Sequence, residues 1–352
     1  MADATREISL EQRLQSYYRE MLPFALRPLW LDYKELLPPQ PKSKAIPYRW
    51  SWRDIRPQMM RAGELVSTEE AERRVLMLMN PGLNGLQAIT STLYAGIQLV
   101  LPGEIARAHR HSPAALRFII EATGGYTTVD GERIPMLPGD LVLTPNWTWH
   151  DHGNEADTPI IWLDGLDIPL ARALESMFFE LFGDDAQPLT KPSDSSFFQY
   201  GAGGLRPAWQ KHSASYSPLL HYPWPQTRAT LERLAATTAG GPHDGVILEY
   251  TNPVTGGPVM PTMACFAQVL RPGQRTKAHR HTSSAAYHVV EGSGFSMVDG
   301  ERLEWDAKDV FAVPAWAVHH HENNSSQDAY LFSFTDVPVL AALDLLREAP
   351  AA

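Results

Sequence analysis

The stretch Pro102-Gly103-Glu104-Ile105-Ala106-Arg107-Ala108-His109-Arg110-His111 returns about half a chain later as Pro272-Gly273-Gln274-Arg275-Thr276-Lys277-Ala278-His279-Arg280-His281. Working outward, each copy is followed by a Val-Asp-Gly-Glu-Arg turn, at Val129–Arg133 and Val298–Arg302. Each then closes on a histidine-rich run behind a proline, Pro145–His152 and Pro314–His321. A lone His-x-His is common. Two copies with matching glycine, proline, turn and late histidine mark a duplicated unit. On a strand, side chains alternate between faces, so His109 and His111 point the same way, as do His150 and His152. Antiparallel neighbours in a small barrel bring such strands together, and His109, His111 and His150 become candidate ligands of one ion. The second copy repeats the spacing as His279, His281 and His319, a possible second metal site. Imidazole suits zinc, copper, iron and nickel alike, so ligand type alone does not choose the metal.

The surrounding chain agrees with a doubled β fold. Short apolar runs alternate with Gly, Pro and Asp turns at 92–101, 116–122, 126–129, 140–144 and 160–163, and again between 263 and 334, as in antiparallel barrels and jelly rolls. Helical spacing is expected at 10–22, 168–182, 231–236 and 339–347. Residues 38–57, rich in Pro, Trp and Lys, read as an irregular arm, and 187–204 as a polar linker. The expected division is an N-terminal helical arm (1–65), a catalytic barrel (66–186), a linker with a helix (187–240) and a second barrel (241–352).

Composition excludes other classes. A net charge of −10 with no long basic run argues against a nucleic-acid surface. The single cysteine, Cys265, rules out a disulfide framework within the chain and suits a reducing cytoplasm. The uncharged stretch 75–103 contains Asn80, Pro81, Gly82, Asn84, Gly85 and Gln87, which fits a turn and buried strands and no membrane span. The charged N-terminus does not read as a signal peptide.

The spacings Gly103-x5-His109-x-His111 and Gly139-x5-Pro145-x-Trp147-x2-His150-x3-Asn154 resemble the two motifs of the cupin superfamily. Trp147 stands where the second motif has glycine. Ala115 and Leu116 stand where the first normally has a glutamate ligand, which leaves a three-histidine site. Arg73-Arg74-Val75-Leu76, Asn80-Pro81-Gly82-Leu83, the run Thr92–Leu99, Trp149-His150-Asp151-His152-Gly153-Asn154 and Trp162-Leu163-Asp164-Gly165-Leu166-Asp167 resemble the gentisate 1,2-dioxygenase family, which includes enzymes that open salicylate and 1-hydroxy-2-naphthoate. The resemblance implies a mainly β bicupin: two double-stranded β-helix (jelly-roll) barrels with flanking helices. It also implies one Fe(II) per chain in the first barrel, O2 as co-substrate, a homotetramer, and ring cleavage of gentisate to maleylpyruvate.

Such a reaction needs specific groups. A chelating aromatic hydroxy acid and O2 require open positions on the ion, which a fourth carboxylate ligand would contest. The substrate carboxylate calls for a guanidinium. Arg117, on the strand after His111, is the first candidate and Arg73 the second, from the resemblance. His152 suits hydrogen bonding or proton transfer. Gln98 and Asp164 are expected beside the ligands, and Tyr94 and Gly96 around the ring. The plainer readings make Arg117 an exterior salt-bridge residue, Arg73 a surface charge, His152 a core histidine and Tyr94 barrel packing. Asp151 should point away from the ligands, and Trp147 and Trp149 should pack at the barrel mouth. In the second copy Tyr287 replaces Arg117, so that barrel is not expected to be catalytic. Competing classes are a zinc or manganese isomerase of the same fold and a non-catalytic bicupin.

Overall fold

The computed structural model describes residues 9–211 and 215–351. Met1–Lys42 and Ser43–Ala352 are separate compact units. In the first, helix Leu10–Met21 starts with a capping box between Ser9 and Gln12, and Pro23 follows it in a 3-10 turn. A second helix spans Leu29–Leu36.

The larger unit is two β barrels built to one plan. In each, a six-stranded sheet faces a five-stranded one. The strand order is the same in both. Ala115–Glu121 and Ile160–Leu166 lie at the centre of the first six-stranded sheet, and Ala285–Glu291 and Ala329–Thr335 at the centre of the second. The five-stranded sheets carry the histidines, on Ile105–His111 and His150–Asn154 in the first barrel and on His279–His281 and His319–Glu322 in the second. The bicupin expectation is therefore met.

Side-chain alternation on Ala115–Glu121 separates two environments. Leu116, Phe118 and Ile120 point out of the barrel into an apolar core shared with the second barrel. There Phe118 stacks on Phe332 with centroids 4.1 Å apart. Arg117 and Ile119 alternate with them on the other face, and Ile119 joins the small core inside the first barrel.

The structure corrects several readings of local structure. Residues 38–57 are not irregular throughout: Tyr48–Trp50 is a strand and Trp52–Leu65 a helix. The strand joins the second barrel, pairing Tyr48 with Ala312, while the helix packs on the first. Reciprocally, His221–Tyr222 pairs with Leu141–Val142 of the first barrel, and helix Trp224–Ala235, longer than the expected 231–236, packs on the second. Each arm thus crosses to the other barrel, and a matching polar clasp holds it. Arg49 Nη1 and the Trp52 amide bond Asp309 at 2.7 and 2.8 Å. His221 Nε2 and the Trp224 amide bond Asp140 at 3.0 and 2.8 Å. The segment 187–204, expected as a polar linker, lies against the first barrel: Gln187 bonds Gly131 and Thr128, and Ser195 bonds Glu132.

The expected helices 168–182 and 339–347 are both cut short, at Ala173 and Ala342. Glu175 and Asp344 adopt left-handed φ of 52° and 56°, and the Ser176 and Leu345 amides close back on Ala171 and Leu340. The chain then extends into edge strands Phe179–Leu181 and Glu348–Pro350, which pair with the His-x-His strands. Ladder pairing with a distant strand outweighs local helical periodicity here.

Candidate active site

Gly103, at φ 78°, turns the chain into strand Ile105–His111, and Trp147, at φ 67°, turns it toward His150. Trp147 occupies the left-handed position where glycine is usual, and the Arg110 guanidinium lies 4.8 Å from its ring. His109 pairs in register with His150, and ring centroids lie 4.0 Å (His109–His150), 4.8 Å (His111–His150) and 5.4 Å (His109–His111) apart. One nitrogen of each lies within 4.8 Å of the others, as a shared ion requires.

The backbone sets the tautomers. Nδ1 of His109 bonds the Arg107 carbonyl at 2.9 Å, that of His111 the Pro113 carbonyl at 2.8 Å, and that of His150 the Thr148 carbonyl at 3.0 Å. A carbonyl only accepts, so each Nδ1 carries the proton and each Nε2 presents a lone pair. His150 Nε2 is buried and has no protein partner. Burial, with Arg73 adding repulsion, lowers the His109 pKa to about 2, and burial lowers that of His111 to about 4. The rings are therefore neutral near pH 7, the form that ligates metal. The donor set fits a borderline divalent ion, and among the described residues no carboxylate joins the group.

Beside the triad is a cavity of about 270 Å³. Arg73, Tyr94, Gln98, Arg117 and Asp164 all line it, together with His109 and His111. Arg117 is 4% exposed, which removes the exterior salt-bridge reading. Its Nε lies 3.5 Å from Asp164 Oδ1 and its Nη1 bonds Thr144 Oγ1. Burial raises the Asp164 pKa to about 6 against the opposing pull of Arg117, and Trp162 Nε1 bonds the same carboxylate at 2.8 Å. Burial, then repulsion from Arg117, lowers the Arg73 pKa to about 10, so its guanidinium stays charged near pH 7. Burial also lowers that of Arg117, against the pull of Asp164, but a guanidinium keeps its proton in a protein. Larger clefts of about 570 and 520 Å³ lie elsewhere and contain no triad residue.

Besides the ligand His150, the expected residues Gly96 and His152 are not in the cavity lining. Gly96 lies behind it: an added Cβ would meet Val75 Cγ1 at 2.6 Å and Tyr94 Oη at 2.8 Å, so the bare backbone makes room for the tyrosine. His152 is buried, its ring 5.8 Å from that of His150. Thr127 Oγ1 donates to the Asp151 carbonyl at 3.1 Å and therefore accepts from His152 Nδ1 at 2.5 Å. Nε2 of His152 is left as a buried acceptor without a partner. Asp151 points the other way and accepts from the Gln187 amide at 3.0 Å, as alternation requires.

The sequence reading missed Met177 and Phe179, which line the cavity from the stretch read as helix. Phe179 stacks on His109 at 5.4 Å, and the Arg73 guanidinium lies 5.4 Å from its ring. No sequence signal marked them: the matching stretch of the second copy, 339–347, has the same helical spacing and is also cut short before a strand.

Residues 96–166 and 266–335 each match the Cupin domain family. The chain is 41% identical to gentisate 1,2 dioxygenase 1 of Aquipseudomonas alcaligenes, across 98% of each protein. This chain belongs to the gentisate 1,2-dioxygenase family. Within that family it is also 42% identical to 5-aminosalicylate 1,2-dioxygenase of Comamonas sp, over 97% of this chain and 91% of that one. The salicylate 1,2-dioxygenase of Pseudoaminobacter salicylatoxidans, solved with gentisate, matches with a TM-score of 0.91 at 34% identity, covering 100% of this chain and 97% of that one. The isomerase and non-catalytic classes are thereby displaced by a ring-cleaving dioxygenase.

Proposed function

We propose that this dioxygenase uses Fe(II), bound by His109, His111 and His150, to open gentisate between its carboxyl-bearing carbon and the adjacent hydroxyl-bearing one. Both atoms of O2 enter the product, maleylpyruvate. The observation that carries this reading is one small cavity lined by His109, His111 and two charged arginines, beside a triad with no carboxylate ligand. Iron supplies chelation of the substrate and activation of O2 when bound. The chain's own residues bind and orient. Arg117, held by Asp164 and Thr144, and Arg73, held against Phe179, receive the substrate carboxylate. Tyr94, made room for by Gly96, flanks the ring, and Gln98 borders the ligands. Nε2 of His152 accepts a proton or hydrogen bond inside the barrel.

A cavity of about 270 Å³ has room for one aromatic hydroxy acid, with a single or a fused ring. Salicylate and 1-hydroxy-2-naphthoate are the second reading, with 5-aminosalicylate beside them, supported by the relatives named for these acids. The test is O2 uptake by iron-loaded protein with each acid, alongside iron per chain. One O2 consumed per gentisate, with no uptake when zinc replaces iron, is expected. No uptake with any of these acids overturns the reading.

No helix among the described residues is long and apolar enough to cross a membrane. We further propose a cytoplasmic homotetramer. Its support is the buried, unpaired thiol of Cys265 and, in the Met1–Lys42 unit, a run of exposed apolar residues including Phe24, Leu29, Trp30 and Leu36. Light scattering on the whole chain measures the assembly.

A further inference from the structure

The triad of the second barrel also comes together, with one nitrogen each of His279, His281 and His319 within 4.8 Å of the others. A different feature lies where the two barrels meet. The cleft of about 570 Å³ is within the range of ligand sites, roughly 300–1,000 Å³. Its buried wall is apolar and aromatic, with Phe118, Ile120 and Trp224. Arg56, Glu121, Glu291 and Lys308 line its more exposed edge.

The walls are paired positions of the two repeats. Phe118 corresponds to His288, Glu121 to Glu291 and Gly139 to Lys308. The backbone shows the match: the Gly139 amide bonds the Ile119 carbonyl at 2.8 Å, and the Lys308 amide bonds the Val289 carbonyl at 2.6 Å. Each glutamate holds an arginine from a crossing arm. Arg56 Nε bonds Glu121 at 3.1 Å, and Arg228 Nη1 bonds Glu291 at 2.6 Å. Arg228 also bonds Glu232, which does not line the cleft.

Two residues of the second repeat break the match. Lys308 has a left-handed backbone, φ 74°, where the first repeat has Gly139 at φ 87°. A side chain is strained there, and strained positions cluster at ligand-binding sites. Its Nζ bonds Glu121 at 2.8 Å, so Lys308 and Arg56 share one carboxylate. His288 is the second. It is 2% exposed, and its Nδ1 is buried with no partner. The nearby Asp309 carbonyl is taken by the Val289 amide at 2.9 Å. Burial, then repulsion from Lys308, lowers the His288 pKa to about 3, so the ring is neutral. A neutral imidazole offers one donor and one acceptor, and a hydroxyl can meet either. Leaving such a buried nitrogen unmet is costly. The Phe118 ring lies 5.4 Å from that of His288 and 6.5 Å from that of Trp224, so the wall presents aromatic surface.

We propose that this cleft binds an aromatic monocarboxylate with a hydroxyl remote from its carboxyl. The carboxylate meets Lys308 and Arg56, the ring lies against Phe118 and Trp224, and the hydroxyl meets His288. Strand Ala115–Glu121 separates the two sites, with Arg117 lining the catalytic cavity and Phe118 the cleft. The inference is independent of the substrate assigned to that cavity.

The test is calorimetric titration of iron-loaded whole protein, without O2, with 4-hydroxybenzoate, which lacks the adjacent hydroxyl that chelation of the metal uses. Wild type should bind it, Arg117→Ala equally well, and Lys308→Gly about tenfold more weakly or worse. Lys308→Gly installs the residue of the first repeat and relieves the backbone, so it should fold and keep O2 uptake with gentisate. Benzoate should bind wild type more weakly than 4-hydroxybenzoate, and His288→Phe should erase that difference. No binding by wild type, or binding that Lys308→Gly leaves unchanged, overturns the site. In the latter case, loss of binding in Arg117→Ala would place the acid in the catalytic cavity. Equal affinity of wild type for the two acids overturns the role of His288. Failure of the dioxygenase reading would appear separately, as absent O2 uptake.

Discussion

The interiors of the two barrels share strands, order and histidines but differ in what stands beside the triad. In the first, Arg117 and Arg73 border a cavity beside Asp164. In the second, Tyr287 and Phe311 fill the interior with stacked rings. Duplication preserved the frame that holds a metal. At one inward position the first copy has a buried cation, Arg117, and the second an aromatic ring, Tyr287; on the proposed function this exchange separates the copy that admits an anionic acid from the one that does not.

The largest effect that tests this contrast is loss of a ligand. His109→Ala should remove the first-barrel metal and reduce O2 uptake with gentisate to background, and full activity in that variant would move the chemistry to the second barrel. Next is the layer that both barrels share. Phe118→Ala should lower stability by about 3–5 kcal/mol in denaturant unfolding, because it empties the contact with Phe332. A loss under about 1 kcal/mol would mean that the barrels do not depend on a common core.

Arg117→Ala should cost about 2–5 kcal/mol of substrate interaction, because it also leaves Asp164 buried without its partner. That is roughly 30-fold or more in kcat/KM, with the first-barrel metal retained. Unchanged kcat/KM there would break the comparison at its central residue, since Tyr287 would then suffice.

The smallest expected effect concerns the two clasps. Burial alone would lower the His221 pKa, but its bonds to Asp140 and Asp194 outweigh that and raise it to about 9. A raised folded-state pKa means that this clasp's contribution is complete below pH 6.5, the unfolded value, and is lost as pH rises through 9. The change is on the order of 3 kcal/mol at most. The Arg49–Asp309 clasp should hold over the same range. Melting curves of wild type and His221→Gln between pH 6 and 10 should therefore converge at the alkaline end. A constant gap across the range would show that His221 does not titrate there.

Much of the site was legible because its residues obey short-range rules. His109 and His111 share a face by alternation, and the tautomers follow from carbonyls two residues away. Arg117 was legible from its inward register, although Ser112–Ala114 bends the chain before its strand begins. Phe179 and Met177 were not legible. Their stretch has helical spacing, and only pairing of Phe179 with His111 pulls it into a strand. Tyr48–Trp50 and His221–Tyr222 were missed for a similar reason: each pairs with the barrel of the other repeat.

The sequence by itself determined the duplication, the ligand triads, the missing carboxylate and the inequality of Arg117 and Tyr287. These are patterns of residue type at fixed spacing, set by the period of a strand. Only the tertiary structure decided which residues close the cavity, how the arms cross between barrels and what surrounds the second triad. Those depend on contacts between segments far apart in the chain, where ladder pairing and burial outweigh local preference.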